Sequence, residues 1–176
     1  TIRKDNQFNL LKPVSIIAGR RSVFTGLNYL EFQYGGKGIL LPGIDDETSG
    51  NVLIFGGGIV GENAAKMAHA IGCNVTIIEN NKQRQTQLLD MFNNEIKVLD
   101  YTPEILEEQM KLTDLLISTI LVPGSKPPKL VKEYMVKQMR PRSVIVDVSI
   151  DQGGCVETID KYTTHENPVF IKHDIV

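Results

Sequence analysis

A short apolar run leads directly into a cluster of glycines and then into a helical stretch, and this junction constrains the fold more than any other feature of the chain. Val52 to Phe55 is typical of a buried strand, Gly56 to Gly61 follows without a gap, and Asn63 to Ala68 favours a helix. In a G-x-G-x-x-G turn the first glycine permits the tight turn, the second lets a pyrophosphate approach the backbone, and the third lets helix and strand pack closely. Unpaired N–H groups and the helix dipole at the start of such a helix favour phosphate. The backbone groups expected to contact it belong to Gly56, Gly58, Ile59, Val60 and Gly61.

From residue 50 onward, short β-rich runs alternate with helical stretches. Because strand–helix repeats at this spacing form parallel sheets covered on both faces, we predict an α/β fold, a Rossmann-type doubly wound parallel sheet. The predicted strands are 51–55, 74–78, 96–99, 115–119 and 143–148, the predicted helices are 59–71, 81–92, 103–111 and 128–139, and the apolar stretch 168–171 is a candidate for one more strand.

Two further features precede this repeat. Residues 13–32 carry apolar side chains at roughly helical spacing, which predicts an N-terminal helix. Residues 34–50 hold five glycines, Pro42 and the acidic run 45–47, which is typical of a connector. We therefore predict two parts, an N-terminal helix with its glycine-rich connector (1–49) and a dinucleotide-binding domain (50–176).

Composition excludes several classes of function. A formal charge of −2 and a pI near 5.9 provide no basic surface for nucleic acid, and no apolar run approaches the roughly 20 residues that cross a membrane. Cys73 and Cys155 lie far apart without metal-ligand spacing, so we expect no metal site and a reducing compartment. The chain begins Thr-Ile-Arg-Lys-Asp without a secretory signal, which favours a cytoplasmic protein whose start was removed or from which this piece was excised.

The end of the second predicted strand bears on the choice of nucleotide. Glu79 follows Gly61 by 18 residues, where a carboxylate accepts hydrogen bonds from a ribose 2′-OH. Its charge would repel a 2′-phosphate, so it favours NAD over NADP. Lys82 and Arg84 leave alternatives open, since each is placed to pair a phosphate, to lie against the adenosine or to stand on a solvated helix face.

The segments after the fourth and fifth predicted strands are expected to face the nicotinamide end of the nucleotide, because ligands of open α/β sheets lie outside the carboxyl ends of the strands. In the second segment, Asp151 is placed either to stabilise a cationic intermediate beside the nicotinamide or to cap a turn made by Gly153-Gly154. A lysine between a serine and two prolines, Lys126, is expected to be solvated. All three histidines are expected to be surface or structural residues: His69, His165 and His173.

Taken together, these segments resemble the alanine dehydrogenase family from about residue 10 to the end of the chain. The most specific string is Ile150 to Gly154. The proton-pumping nicotinamide transhydrogenases share the Pro-Gly loop and the Val-Ile-Val-Asp strand but differ at Asp151-Gln152, so they are the second alternative. The matching segments are Pro13 to Arg20, Gly35 to Gly38, Gly56 to Gly61, Val122 to Gly124 with Lys129 to Val131, Asp147 to Gly154, and Thr163 to His165.

The resemblance implies hydride transfer between L-alanine and NAD, giving pyruvate, ammonia and NADH. It implies that Asp151 is an active-site acid and that Ser15 contacts the cofactor. The family often has aspartate where this chain has Glu79, and Arg84 matches the basic residue that follows. The remaining implied cofactor contacts are Ile120, Leu121, Val148, Ser149 and Ile150.

The resemblance also implies a separate substrate domain that supplies an arginine, a lysine and a histidine. That domain is expected to lie outside the 176 residues of this chain. We therefore expect this chain to bind NAD(H) without turning over alanine by itself. Exposed apolar positions such as Phe24 and Tyr29 suggest contacts of a homo-oligomer, and the family commonly forms hexamers. A non-enzymatic NAD-sensing module is a third alternative.

Overall fold

The computed structural model describes residues 11–44, 48–121, 127–161, 163–164 and 166–176. The acidic run 45–47, the Val122 to Gly124 loop, Lys126 and His165 lie outside these ranges. The helices are α1 (Leu11–Leu30), α2 (Ile59–Ala70), α3 (Lys82–Met91), α4 (Pro103–Leu112) and α5 (Glu133–Val136), and the strands are β1 (Asn51–Phe55), β2 (Asn74–Ile78), β3 (Lys97–Leu99), β4 (Leu115–Ser118) and β5 (Val144–Asp147). Two short 3-10 helices cover Phe32–Tyr34 and Ile150–Gln152.

All five strands run parallel, in the order β3-β2-β1-β4-β5. Val52 of β1 pairs with Val75 on one side and with Leu115 on the other, so the chain crosses from one half of the sheet to the other between β3 and β4. Such a reversal leaves a crevice at the carboxyl ends of β1 and β4. The predicted Rossmann-type doubly wound sheet is confirmed.

Two hydrophobic cores cover the two faces of the sheet. Val52 and Ile54 of β1 face one core, which includes Leu88 of α3, while Leu53 and Phe55 face the other. Successive side chains of a strand point to opposite faces, so a central strand covered on both sides is apolar throughout. This is why the apolar runs of the sequence predicted the strands well.

Helix α1 packs on α2 through a glycine. A Cβ added to Gly19 would lie 2.2 Å from the carbonyl oxygen of Val60, and one added to Gly26 would lie 2.4 Å from the Leu115 side chain. The absence of these side chains lets α1 approach the start of α2 and the sheet. Helix α1 therefore lies beside the glycine turn.

Two predicted elements are wrong. The helix predicted at 128–139 is only Glu133–Val136, because Val131 pairs with Val156 and Lys132 is extended at φ −80° and ψ 153°. Residues 168–171 do not form a strand, because the free edge of β5 is taken by Val176, whose N–H donates to Ser143 and whose carbonyl accepts from Ile145.

Of the two aromatic residues predicted to be exposed, Phe24 is 52% exposed, whereas Tyr29 is half-buried against Tyr34 at a ring distance of 5.8 Å. The division of the chain at residue 50 stays a prediction. Within the described ranges, no helix combines the length and the apolar character needed to cross a membrane.

Candidate dinucleotide site

The carboxyl ends of the parallel strands bring most of the predicted site residues to one edge of the sheet. The glycine turn follows β1, Glu79 follows β2, Ile120 follows β4, and the turn carrying Asp151 follows β5. Because β1 and β4 are neighbours, the first and third of these segments touch, and a Cβ on Gly56 would lie 3.1 Å from Cδ1 of Ile120. This edge is the candidate site.

The three glycines of the turn differ in what surrounds them. Gly56 has φ +105°, a conformation that favours glycine, and a Cβ on Gly61 would lie 1.9 Å from the carbonyl oxygen of Gly56. Gly58 is exposed, and a Cβ there would have no atom within 4 Å. Gly56 and Gly61 therefore form the turn itself, whereas Gly58 leaves open space in front of the first residues of α2. That space fits the phosphates of a nucleotide.

Glu79 holds the turn while it faces the site. Its Oε2 accepts a hydrogen bond from the Gly57 N–H at 2.8 Å, and its Oε1 accepts one from the Asn81 N–H at 2.9 Å. The side chain is half-buried. Each carboxylate oxygen has a further lone pair, so a ribose hydroxyl can still donate to Glu79.

Arg84 binds the other backbone group of Gly57. Its Nε donates to the Gly57 carbonyl at 2.7 Å, and its Nη2 pairs with Oε2 of Glu62 at 2.6 Å. Lys66 pairs with Oε1 of Glu62 at 2.6 Å. Burial alone would raise the pKa of Glu62, but the hydrogen bonds and charges of Lys66 and Arg84 outweigh burial and lower it.

Of the alternatives left open for the two basic residues, the structure favours different ones for each. The guanidinium of Arg84 is committed to Gly57 and Glu62, and its contact with a nucleotide stays a prediction. Lys82 is 72% exposed and pairs with Asp100 at 2.8 Å, as expected of a solvated helix start. Neither residue presents an uncommitted cation to a 2′-phosphate.

Sequence reasoning missed Thr119. Its Oγ1 donates to the carbonyls of Phe55 at 3.1 Å and Gly56 at 3.0 Å, so it ties the end of β4 to the start of the glycine turn. The available signal was its position as the last residue of the predicted strand 115–119; the structure places that strand beside β1. The next two predicted contacts differ in exposure, since Ile120 is half-buried and Leu121 is 55% exposed.

The turn after β5 closes on itself. The carbonyl of Ser149 accepts hydrogen bonds from the N–H groups of Gln152 and Gly154, both at 3.0 Å, and Gly153 has φ +108°. Asp151 lies exposed on this turn and has no hydrogen-bond partner among the described residues. Ser149 is buried and its hydroxyl donates to Asp147 at 2.7 Å. The turn therefore presents a carboxylate to the edge where the site lies, flanked by the half-buried Val148 and Ile150.

Other residues singled out from the sequence lie at varied positions. Ser15 is half-buried on α1, one helical turn before Gly19 and on the same face, which places it toward the glycine turn. His69 pairs with Glu95 at 2.9 Å, and His173 pairs with Glu133 at 2.6 Å.

The two cysteines are buried. Cys73 packs in the core on one face of the sheet, and burial raises its pKa to about 11. Cys155 is fully buried beside the Ser118 hydroxyl at 2.9 Å, and burial raises its pKa to about 12. Over the part of the chain that the structure describes, no group of three His, Cys, Asp or Glu residues is placed to hold a metal ion.

Comparison with known proteins agrees with this geometry. The family model described as "Alanine dehydrogenase/PNT, C-terminal domain" matches residues 22–176. The chain is 50% identical to the alanine dehydrogenase of Bacillus subtilis (strain 168) over 176 residues, covering all of this chain and 47% of that protein. The chain thus spans about half the length of this relative.

Two solved structures extend the comparison. One described as L-alanine dehydrogenase superposes with a TM-score of 0.94 at 43% identity, over 98% of this chain and 48% of that one. A transhydrogenase from Sinorhizobium meliloti superposes with a TM-score of 0.78 at 20% identity, over 95% of this chain and 47% of that one, a likeness of fold alone. With a family model that matches nearly its whole length, the chain belongs to the alanine dehydrogenase/PNT C-terminal domain family.

Proposed function

We propose that the chain is the NAD(H)-binding part of an alanine dehydrogenase, which converts L-alanine, NAD and water to pyruvate, ammonia and NADH. The observation that carries the proposal is the glycine turn, open at Gly58 and held by Glu79, in a chain 50% identical to an alanine dehydrogenase. Because the chain spans about half of that relative, substrate binding is assigned to a domain outside it.

The residues present fit a dinucleotide. Its phosphates would lie over Gly58, Ile59 and Val60 at the start of α2, where unpaired N–H groups and the helix dipole favour anions. The adenosine ribose would donate to Glu79. When bound, the nicotinamide supplies the acceptor for the substrate hydride.

NAD is proposed over NADP on electrostatic grounds. Glu79 is half-buried at the ribose position, and its negative charge would repel a 2′-phosphate. Arg84, the nearest candidate to compensate, is already paired with Glu62 and bonded to Gly57. The other basic residue of α3, Lys82, is paired with Asp100 at 2.8 Å.

Asp151 is proposed as the catalytic acidic residue. Its exposed carboxylate stands on the turn after β5, and a negative charge there stabilises the cationic imine or ammonium that forms during deamination and orients the attacking water. The remaining proposed contacts to the cofactor are Ser15, Ile120, Leu121, Val148, Ser149 and Ile150.

The proposal also includes location and assembly. We expect a cytoplasmic homo-oligomer, a hexamer in the full-length protein, with contacts that include the exposed Phe24 of α1. The alternatives are the NAD-binding component of a nicotinamide transhydrogenase, whose fold is shared at 20% identity, and an NAD-sensing module without a substrate domain. The identity to alanine dehydrogenases favours the first proposal.

The test uses the full-length protein that carries this chain, given L-alanine with NAD or NADP and followed by the absorbance of the reduced nucleotide. We expect alanine-dependent reduction of NAD, a loss of about 100-fold or more in kcat for Asp151→Asn, and full activity for the control Asp160→Asn, another exposed acid that pairs with Lys172 at 3.4 Å. The 176-residue chain alone should bind NADH without turnover. Absence of alanine-dependent reduction by the long protein would favour the transhydrogenase alternative.

A further inference from the structure

Lys129, which precedes the turn that carries Asp151, donates all of its hydrogen bonds to a single loop. The Nζ of Lys129 donates to the main-chain carbonyls of Gly153 at 2.7 Å, Val156 at 3.0 Å and Ile159 at 3.4 Å. An ammonium group has three donors, so this set uses all of them. Among the residues that the structure describes, no carboxylate lies within ion-pairing distance of Nζ. The ammonium of Lys129 therefore binds the backbone at the end of the Asp151 turn and in the residues that follow it.

A carboxylate holds the same loop from its other side. Oδ1 of Asp147 accepts from the N–H of Ser149 at 3.0 Å and from its hydroxyl at 2.7 Å. Oδ2 accepts from the N–H groups of Cys155 at 3.1 Å and Val156 at 3.4 Å. Asp147 thereby joins the beginning of the turn to its end. Hydrogen bonds to a charged group are stronger than those between neutral groups, so the Lys129 ammonium and the Asp147 carboxylate both stabilise this loop.

Lys129 and Asp147 both bond to the backbone of Val156. The pairing of Val131 with Val156 uses the carbonyl of Cys155 and the N–H of Glu157. The N–H and carbonyl of Val156 itself are thus left to side chains, and they go to Asp147 and Lys129 respectively. Lys129 and Asp147 therefore fix the segment from 147 to 159 as one unit, with Asp151 on its exposed turn.

We propose that Lys129 is a positioning residue for Asp151: its ammonium, bonded to the carbonyls of Gly153, Val156 and Ile159, sets where the Asp151 carboxylate stands relative to the reacting centre. The inference rests on the proposed catalytic role of Asp151. Lys129 does not bind substrate or nucleotide, because its donors are already used. It acts on catalysis only through the turn that carries Asp151.

The expected signature is kinetic. Lys129→Met keeps an unbranched side chain one atom shorter than lysine but removes all three donors, so the loop is released at three points. A displacement of about 1 Å in a catalytic group costs up to about 100-fold in rate, so we expect kcat to fall by about 10-fold to 100-fold. The proposed phosphate and ribose contacts, at the glycine turn and Glu79, lie outside the segment that Lys129 holds, whereas Val148, Ser149 and Ile150 lie within it. The dissociation constant for NADH should therefore rise by a smaller factor than kcat falls.

A double-mutant cycle in the full-length protein tests the proposal. If Lys129 acts through Asp151, Lys129→Met lowers kcat in the wild-type background and has no further effect in the Asp151→Asn background. Lys132→Met is the matched control, because it removes a lysine three residues away whose ion pair among the described residues is with the exposed Glu157 at 3.7 Å. It should leave kcat unchanged. If Lys129→Met is not recovered folded, Lys129→Gln, which keeps one donor group, is taken through the same cycle.

Several outcomes would overturn the proposal. These are an unchanged kcat in Lys129→Met, a loss by the same factor in both backgrounds, or a rise in the NADH dissociation constant in step with the loss of kcat. Failure of the proposed function is a separate result: Asp151→Asn would retain wild-type kcat, or the wild-type protein would show no alanine-dependent reduction of NAD.

Discussion

Substitution of Gly61 by alanine should damage both stability and nucleotide binding, whereas the same change at Gly58 should damage binding alone. A Cβ on Gly61 would lie 1.9 Å from the carbonyl oxygen of Gly56, while one on Gly58 would have no atom within 4 Å. Gly58 has φ −66°, which alanine adopts without strain. The two variants add the same methyl group three residues apart.

The magnitude follows from the contact. Ordinary van der Waals contact starts near 3.4 Å, so α2 must retreat from the turn by about 1.5 Å, and a carbonyl oxygen cannot rotate out of the way as a side chain can. Overpacking costs about 1–3 kcal/mol, and alanine recovers about 1 kcal/mol over glycine within a helix. Taking the upper end for a backbone clash, we expect a net loss of about 2 kcal/mol, which lowers Tm by about 4–8 °C in a chain of this size.

The assay pairs thermal unfolding, followed by circular dichroism, with NADH titration, followed by fluorescence. Gly58→Ala should melt with the wild type and bind NADH more weakly, because its methyl group stands where the phosphates approach the start of α2. Gly61→Ala should lose in both measurements. Equal melting of Gly61→Ala and wild type would refute the packing argument, and unimpaired NADH binding by Gly58→Ala would refute the placement of the phosphates.

Three further predictions concern charge and titration. Glu79→Gln should reduce the preference of the full-length enzyme for NAD over NADP, measured as a ratio of kcat/KM, by about tenfold, or about 1.4 kcal/mol of removed repulsion. The distant change Glu95→Gln is the control and should leave this ratio unaltered. An unaltered ratio in both variants would contradict the role of Glu79. The pKa of Glu62 is lowered from its ordinary 4.5 in the folded chain, so its ion pairs stabilise the fold above that pH and are lost as pH falls through the folded value. The free energy of unfolding of Glu62→Gln, measured with urea, should therefore depend less on pH below about 4.5 than that of the wild type. Parallel curves of unfolding free energy against pH would show that the reasoning fails. Cys73 and Cys155, with pKa values raised to about 11 and about 12 by burial, should react with Ellman's reagent at pH 8 only after denaturation, and rapid reaction of the native chain would disprove their burial.

Elements whose structure depends on residues adjacent in the sequence were predictable. The strands at 51–55 and 74–78 match the structure residue for residue, because a strand covered on both faces consists mostly of apolar residues, as Val52 to Phe55 does. The turn at Gly56 was equally readable, since its φ of +105° favours glycine wherever it occurs. The elements that failed depended on remote partners: Val131 pairs with Val156 instead of starting a helix, and Val176 takes the edge of β5 in place of residues 168–171.

The candidate site divides in the same way. The sequence by itself determined the positions of the glycine turn, of Glu79 and of the turn that carries Asp151, because each follows directly from a local strand and its spacing. Only the tertiary structure decided what holds these pieces. Arg84 bonds to Gly57 across 27 residues and Thr119 to Gly56 across 63, distances in the chain that the order of the strands in the sheet converts into contacts. Side chains such as Lys129 acquire a role only when the fold brings three carbonyls to them, and no local pattern in the sequence encodes that meeting.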